Sequence, residues 1–111
     1  MRKKIHSYLG FAKRSGNLLA GYNTCEMAIS RRKAKLIILT GDIAENTKKK
    51  FTKMARDAGV PIYVYGDASD VPLYAGSEGK GVFCVTNSHF AKIIENEIIL
   101  EIKEENSMQD K

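Results

Sequence analysis

The sequence predicts an α/β fold, and three observations support that prediction. Residues 35–40 include a continuous apolar run without polar alternation, which is typical of a strand covered on both faces. A helical pattern that ends at Gly59 and a second β-favouring run over 60–65 follow, and a strand, helix and strand at this spacing form a parallel unit. The chain has 111 residues, 43% hydrophobic and 28% charged, which is the size and balance of one globular domain.

The first third of the chain predicts a helix and a short strand. Apolar residues recur there at the spacing of one helix face: Ile5, Tyr8, Leu9, Phe11 and Ala12. This periodicity predicts an amphipathic helix over residues 3–15 that ends at Gly16. Residues 18–20 are apolar and stand just before Gly21, so they predict only a short strand.

Cap residues predict where the next two helices begin. Asn23 is a favoured N-cap residue, and Glu26 three residues later completes a capping box, so we expect the second helix to start there. Asn46 or Thr47 is expected to cap the third helix, and Gly59 to end it. The inward face of the third helix is expected to carry Phe51, Met54, Ala55 and Ala58.

The second half of the chain predicts a short helix, a loop, a strand and a long final helix. The short helix covers residues 69–75, and the glycine-rich loop 76–81 follows it. Residues 82–86 predict another buried strand, after which Asn87 or Ser88 starts the last helix. The core-facing residues of the last helix are expected to be Phe90, Ala91, Ile93, Ile94 and Ile98.

Charge is distributed unevenly along the chain. The net charge of +5 combines −4 over residues 95–111 with +9 over residues 1–94. A positive field of this size attracts polyanions such as RNA, although a run such as Lys48-Lys49-Lys50 is more typical of a solvated helix face. We expect one basic domain over residues 1–100 and an acidic tail over residues 101–111 that frays.

Several classes of protein are not expected. No apolar run is long enough to span a membrane, and Lys13 and Arg14 interrupt any signal-peptide core, so we expect a cytoplasmic protein. Cys25 and Cys84 are too few and too isolated for a disulfide framework or a metal site, and we expect them to be buried free thiols. The two histidines lack companion ligands at metal spacing, so neither a metal nor another cofactor is expected.

Two features suggest an enzyme, and neither supports one well. The loop 76–81 lacks the Gly-Lys-Ser/Thr ending of a P-loop and precedes a strand, so it is either a mobile turn or a loop whose amides and Lys80 meet an RNA backbone. Asp42 follows a central strand, where α/β proteins place functional groups. Aspartate is common there as a turn or cap residue, however, and the acidic pair of a phosphoacceptor site is missing.

The start of the second helix is a candidate binding site. Asn23 and Thr24 follow Gly21, and the first turn of a helix offers free amides and the positive end of a dipole. Asn also presents both a donor and an acceptor to a base edge. A purely capping role accounts for Asn23 equally well, so both interpretations stay open. The cationic cluster 31–33 favours nucleic acid over a solvated face.

An ordered set of short motifs runs through the chain. It consists of Leu9 to Arg14 (Leu-Gly-Phe-Ala-Lys-Arg), Gly21, Arg31 to Asp42, Asn46-Thr47, Val60-Pro61, Gly76 and Phe90-Ala91-Lys92. The set resembles the kink-turn-binding ribosomal protein family, the L7Ae/L30e group, and especially its small bacterial ribosome-associated members. The similarity covers about residues 5–100 without an obvious gap.

The resemblance implies a three-layer α/β/α sandwich around a four-stranded mixed sheet, which binds sharply bent RNA with tandem sheared G·A pairs and catalyses no reaction. In the family, the second helix reads the G·A pairs from a Gly-x-Asn-Glu-x-x-Lys pattern. Gly21 and Asn23 match this pattern, whereas Thr24 replaces the Glu and Met27 replaces the Lys. Kink-turn affinity is therefore expected to be weaker, or the RNA target to differ.

The sequence thus predicts a monomeric RNA-binding domain over residues 1–100, with structured, ribosomal RNA as its partner and ribosomal proteins as further candidates. The expected RNA contacts are Lys13, Arg14, Gly21, Asn23, Thr24, Met27, Arg31, Arg32, Lys33, Glu78, Gly79 and Lys80. The last three occupy the loop that packs on an extruded base in the family. The alternative is a protein-interaction module that docks on a ribosome or a translation factor through an exposed Met27 and the acidic final segment.

Overall fold

The computed structural model of the protein describes residues 3–66 and 81–109. Within these residues the helices are α1 (Lys3–Arg14), α2 (Tyr22–Ser30), α3 (Glu45–Ala58) and α4 (Ser88–Gln109), and the strands are β1 (Leu18–Ala20), β2 (Leu36–Leu39), β3 (Ile62–Val64) and β4 (Val82–Val85). Every element expected in this part of the chain is present. The expected helix 69–75 and the loop residues 76–80, which include Glu78, Gly79 and Lys80, lie outside the described residues.

The strands form one mixed sheet in the order β1-β4-β2-β3. β4 pairs antiparallel with both β1 and β2, whereas β2 and β3 pair parallel, as the strand–helix–strand pattern predicts. Ile37 marks the register, because it lies opposite Cys84 on one side and Ile62 on the other. β2 and β4 are buried at every residue, which explains the continuous apolar run at the centre of the sheet.

Helices cover both faces of the sheet and make three layers. Leu36 and Ile38 of β2 point to the layer of α1 and α4, whereas Ile37 and Leu39 point to the layer of α2 and α3. The first layer packs Ile5, Leu9, Ala12, Ala91, Ile94 and Ile98 against the sheet, and the second packs Cys25, Ala28, Ile29, Phe51 and Ala55. The predicted fold class, an α/β/α sandwich around a four-stranded mixed sheet, is confirmed.

The predicted helix starts are wrong for α2 and α3. Gly21 is the N-cap of α2 and Ala44 that of α3, and no side chain caps either helix within the described residues. Asn23 therefore lies inside α2, and Asn46 and Thr47 lie inside α3. The start of α2 depends on a tertiary contact that sequence spacing does not reveal.

Helix ends that depend on local chemistry agree with prediction. Gly59 ends α3 in the left-handed conformation, with φ 70°. Asn87 caps α4, where its Oδ1 accepts a hydrogen bond from the backbone N of Phe90 at 3.0 Å. Ala58 is exposed rather than inward-facing, because it lies in the last turn of α3, beside a groove described below.

The final helix continues to Gln109, so most of the acidic tail is helical. The expected fraying of this segment concerns its dynamics and stays a prediction. In the described part of the chain, no helix combines the length and the apolar character needed to cross a membrane.

Both cysteines are buried free thiols, as predicted. The Cys25 thiol donates to the Val82 carbonyl oxygen at 3.6 Å. A hydrogen bond with Cys84 and burial together raise the pKa of the Cys25 thiol, so this sulfur stays protonated at neutral pH.

Candidate nucleic-acid interface

A shallow groove runs between the outer side of α2 and the edge strand β1, and we call it the α2–β1 groove. Its volume is about 280 Å³, and it is lined by Leu19, Asn23, Thr24, Met27, Ala28, Arg31 and Lys33. Five of these were predicted from the sequence as RNA contacts. Asn23, Met27 and Arg31 follow one another at intervals of four residues, so helix geometry places them on one face.

The N-terminus of α2 opens beside this groove. Gly21 has φ 110°, a conformation that favours glycine, and its backbone N donates to the Val82 carbonyl at 2.9 Å. The first intrahelical bond runs from the backbone N of Cys25 to the Gly21 carbonyl. The amides of the first turn, at residues 22–24, thus have no acceptor within the helix and no described side-chain cap. Such amides, at the positive end of the helix dipole, can donate hydrogen bonds to an anionic group.

The groove is apolar at its base and cationic at one end. Leu19, Ala28 and Met27 supply the apolar surface, and Met27 is 52% exposed. Arg31 and Lys33 supply two exposed positive charges, and no acidic side chain is among the lining residues. The groove can therefore hold the flat face of a base while its cations meet the phosphates.

The turn after α2 separates the cations of the 31–33 cluster. The backbone N of Lys33 donates to the Ala28 carbonyl at 2.8 Å, which folds the turn back on the helix. Arg32 adopts φ 60°, a left-handed conformation that is uncommon for a non-glycine residue. Arg31 and Lys33 line the α2–β1 groove, whereas Arg32 lines a separate groove on the other side of α2.

Two of the predicted contacts lie on the other helix layer. Lys13 and Arg14 are at the C-terminus of α1, in the layer on the opposite face of the sheet from α2, and neither lines the α2–β1 groove. The guanidinium of Arg14 lies over the ring of Phe11, 4.8 Å from its centroid. Lys13 and Arg14 thus belong to the layer opposite α2, and their role as RNA contacts stays a prediction.

Residues 78–80 lie outside the described residues, and the chain that follows them lies beside the start of α2. Val82 accepts the hydrogen bond of Gly21, so the chain that leaves this segment runs directly beside the start of α2. The carbonyl of Gly81 accepts a hydrogen bond from the backbone N of Thr40 at 2.9 Å, which attaches the same chain to the end of β2.

Sequence reasoning missed a cluster on the far side of the α2 start. Lys50 pairs with Glu26 at 2.6 Å and lies over the ring of Tyr22, 4.7 Å from its centroid, while Tyr22 packs edge-on against Phe51. The hydrogen bonds that Lys50 makes to Glu26 and Tyr22 raise the pKa of its ammonium group. Glu26 is thus an ion-pair partner and not a capping-box residue. Lys50, the last residue of the basic run 48–50, therefore links α3 to α2 through an ion pair. The only sequence signal for this contact is the opposite charge of Glu26 on α2.

Two further observations concern metal ligands and Asp42. Among residues 3–66 and 81–109, no group of three or more His, Cys, Asp or Glu side chains is arranged to hold a metal ion. Asp42 is an exposed residue in the turn after β2.

Comparisons with known proteins agree with the fold. The model of the Ribosomal protein L7Ae/L30e/S12e/Gadd45 family matches residues 3–94. RNA-binding protein YlxQ of Enterococcus faecium is 31% identical over 91 residues, which cover 82% of this chain and 87% of that protein. RNA-binding protein YlxQ of Bacillus subtilis (strain 168) is 31% identical over 83 residues, which cover 75% of this chain and 83% of that protein.

A solved structure is also similar. A protein of unknown function from Bacillus halodurans C superposes with a TM-score of 0.82 at 26% sequence identity, and the match covers 86% of this chain and 96% of that one. The family resemblance predicted from the short motifs is confirmed.

Proposed function

The chain belongs to the Ribosomal protein L7Ae/L30e/S12e/Gadd45 family, and on that premise we propose that it binds structured RNA through the α2–β1 groove and catalyses no reaction. The observation that carries the proposal is the meeting of an open helix N-terminus, an apolar floor and two unopposed cations in one groove. The relatives in Enterococcus faecium and Bacillus subtilis are named RNA-binding proteins, which supports the same conclusion.

The proposed contact residues have roles that follow from their chemistry. Arg31 and Lys33 neutralise phosphates, while Asn23 and Thr24 offer hydrogen bonds to base edges. Met27 gives a base an apolar surface with a polarisable sulfur. Gly21 lets the RNA backbone approach the first-turn amides because it carries no side chain.

We propose a sharply bent RNA with tandem G·A pairs, within ribosomal RNA, as the target. The Gly21 and Asn23 match to the family pattern supports this choice. Thr24 and Met27 replace a carboxylate and a cation of that pattern, so the affinity is expected to depend less on charge at this helix and more on Arg31 and Lys33. Lys80, two residues before Val82, stays a predicted contact.

Binding to a stem with a G·A internal loop, compared with a fully Watson–Crick-paired stem, tests the proposal. Lys33→Gln should flatten the dependence of log affinity on log salt by about 0.7–0.9, the share of one phosphate contact. Lys103→Gln is the matched control, because Lys103 is an exposed cation on α4 that lines neither groove. Asn23→Ala should reduce discrimination between the two RNAs.

Two results would contradict the proposal. One is an affinity for the G·A stem that does not change with salt. The other is an equal effect of Lys33→Gln and Lys103→Gln, since that would make the groove irrelevant to binding. An equal loss on both RNAs in Asn23→Ala would restrict Asn23 to a structural role in α2.

The 52% exposure of Met27 favours a second candidate, a module that docks on a ribosomal protein. Met27→Asp should then abolish co-sedimentation with ribosomes, whereas Lys33→Gln should leave it unchanged. The opposite pattern would dismiss this candidate.

A further inference from the structure

A second groove lies on the other side of α2, between the C-terminal ends of α2 and α3, and we call it the α2–α3 groove. Its volume is about 640 Å³, within the range of about 300–1,000 Å³ typical of sites for small organic groups. Its lining includes Ile29, Arg32, Ala34, Lys35, Met54 and Asp57. None of these residues lines the α2–β1 groove.

The walls of the α2–α3 groove combine an apolar floor with a charged rim. Ile29 and Ala34 are buried beneath it, and Met54 is half-buried beside them. Arg32, Lys35 and Asp57 are exposed at the rim. No hydrogen bond or ion pair within the described chain occupies these three side chains, so they are available to a ligand.

The turn between α2 and β2 makes the two grooves neighbours. Arg31 and Lys33 line one groove and Arg32 lines the other, so three consecutive cations serve both sides of one helix. The left-handed conformation of Arg32 produces this division. The two grooves flank one helix, and a helix with its side chains is about 10–12 Å across, so roughly three or more nucleotides at ~3.4 Å each are needed to connect them.

We propose that the α2–α3 groove binds an unpaired nucleotide of the same RNA whose folded element occupies the α2–β1 groove, an inference that rests on the proposed function. The base lies on the apolar floor beside Met54, and the plane of the Arg32 guanidinium stacks on it. Arg32 and Lys35 meet the phosphates on either side. Asp57 accepts a hydrogen bond from the ribose 2′-OH or a base amino group.

Methionine methyl groups report on the two grooves separately, because Met27 lines one and Met54 lines the other. The full chain carrying ¹³C-methyl methionine is titrated with a G·A stem, and with the same stem carrying a short single-stranded extension at its 5′ or 3′ end. Met27→Leu and Met54→Leu assign the two signals. The Met27 signal should shift with every RNA, and the Met54 signal only with an extended one.

Affinity measurements with matched variants provide the second readout. Replacing Arg32 and Lys35 together by glutamine should remove the affinity gained from the extension and flatten its salt slope by about 1.4, two single-strand phosphate contacts. Affinity for the bare stem should stay within twofold. Lys49→Gln combined with Lys53→Gln is the control, because both are exposed cations of α3 that line neither groove.

Arg32→Gly separates binding from folding. Glycine accepts a positive φ without strain, and this gain offsets the entropy that glycine adds to the unfolded chain, so this variant should stay as stable to heat as the wild type while losing affinity for the extended RNA.

Three outcomes would overturn the inference. If the Met27 signal shifts and the Met54 signal does not, RNA binding in the α2–α3 groove is refuted and the proposed function stands. If the Arg32 and Lys35 variant loses the same affinity for bare and extended stems, these residues attract RNA non-specifically and do not contact the extension. If neither RNA binds and neither shifts the Met27 signal, the proposed function itself is refuted.

Discussion

Gly81→Ala tests how the chain entering β4 is held beside the site. A Cβ at Gly81 would lie 2.3 Å from Cγ2 of Ile43 and 2.9 Å from Oγ1 of Thr40, both far below van der Waals contact. Thr40 is fully buried, and its backbone N donates a hydrogen bond to the Gly81 carbonyl. The backbone at Thr40 therefore cannot move away from Gly81 without losing that hydrogen bond. Ile43 is partly buried and must change rotamer or shift.

The cost in the free energy of unfolding is estimated from two opposing effects. Inserting a methyl group into a packed site costs about 1–3 kcal/mol. Replacing glycine by alanine returns about 0.4–1 kcal/mol by restricting the unfolded chain. Taken at their midpoints, the two effects leave a net loss of about 1.3 kcal/mol. Each 1 kcal/mol lowers the Tm of a domain of this size by about 4–8 °C.

Urea denaturation followed by circular dichroism measures this loss, and a double-mutant cycle identifies its cause. Ile43→Ala removes the Cγ2 atom that the new methyl group would strike. Gly81→Ala should therefore cost less in the Ile43→Ala background, with a coupling of about 1 kcal/mol. A Gly81→Ala protein as stable as the wild type, or an equal cost in both backgrounds, would refute the packing argument.

Three further predictions concern the core and its titratable groups. Phe51→Ala should lower the free energy of unfolding by about 3–5 kcal/mol in urea, because Phe51 is fully buried between α2 and α3; a loss below 1 kcal/mol would contradict this. Cys25 and Cys84 should react with a thiol reagent only in denaturant, since both are buried; fast labelling of the native protein would show otherwise. Burial and a 2.8 Å hydrogen bond to Glu95 raise the pKa of Tyr63, so its contribution to stability is present below the ordinary pKa near 10 and is lost as pH rises through the higher folded value. Tyr63→Phe should reduce the fall in stability measured by urea denaturation above about pH 10, and an unchanged fall would contradict this assignment.

Local sequence determined the elements whose signals lie within a few residues. The uninterrupted apolar run of β2 indicated a strand buried on both faces, and Gly59 and Asn87 marked helix ends through conformational and hydrogen-bonding preferences of their own. Helical spacing also predicted that Ile5, Leu9 and Ala12 of α1 lie on one face, and this face packs against the sheet.

Tertiary contacts determined the start of α2 and the partner of Glu26, which local spacing did not predict. The start of α2 is set by the bond from Gly21 to Val82, which lies far along the chain, so the cap expected at Asn23 did not form. Glu26 likewise found its partner in Lys50 of another helix. A capping preference is worth only about 1 kcal/mol, and a tertiary hydrogen bond together with core packing outweighs it.

The distribution of positive charge shows the same division. Composition determined that the chain is basic and that Arg31, Arg32 and Lys33 form a cluster. Only the fold placed Arg14 on the opposite face of the sheet, and only the φ of 60° at Arg32 turned that residue away from its neighbours into a different groove. Charge is a property of the residues, whereas the direction in which a side chain faces depends on backbone angles and on the layer into which its helix packs.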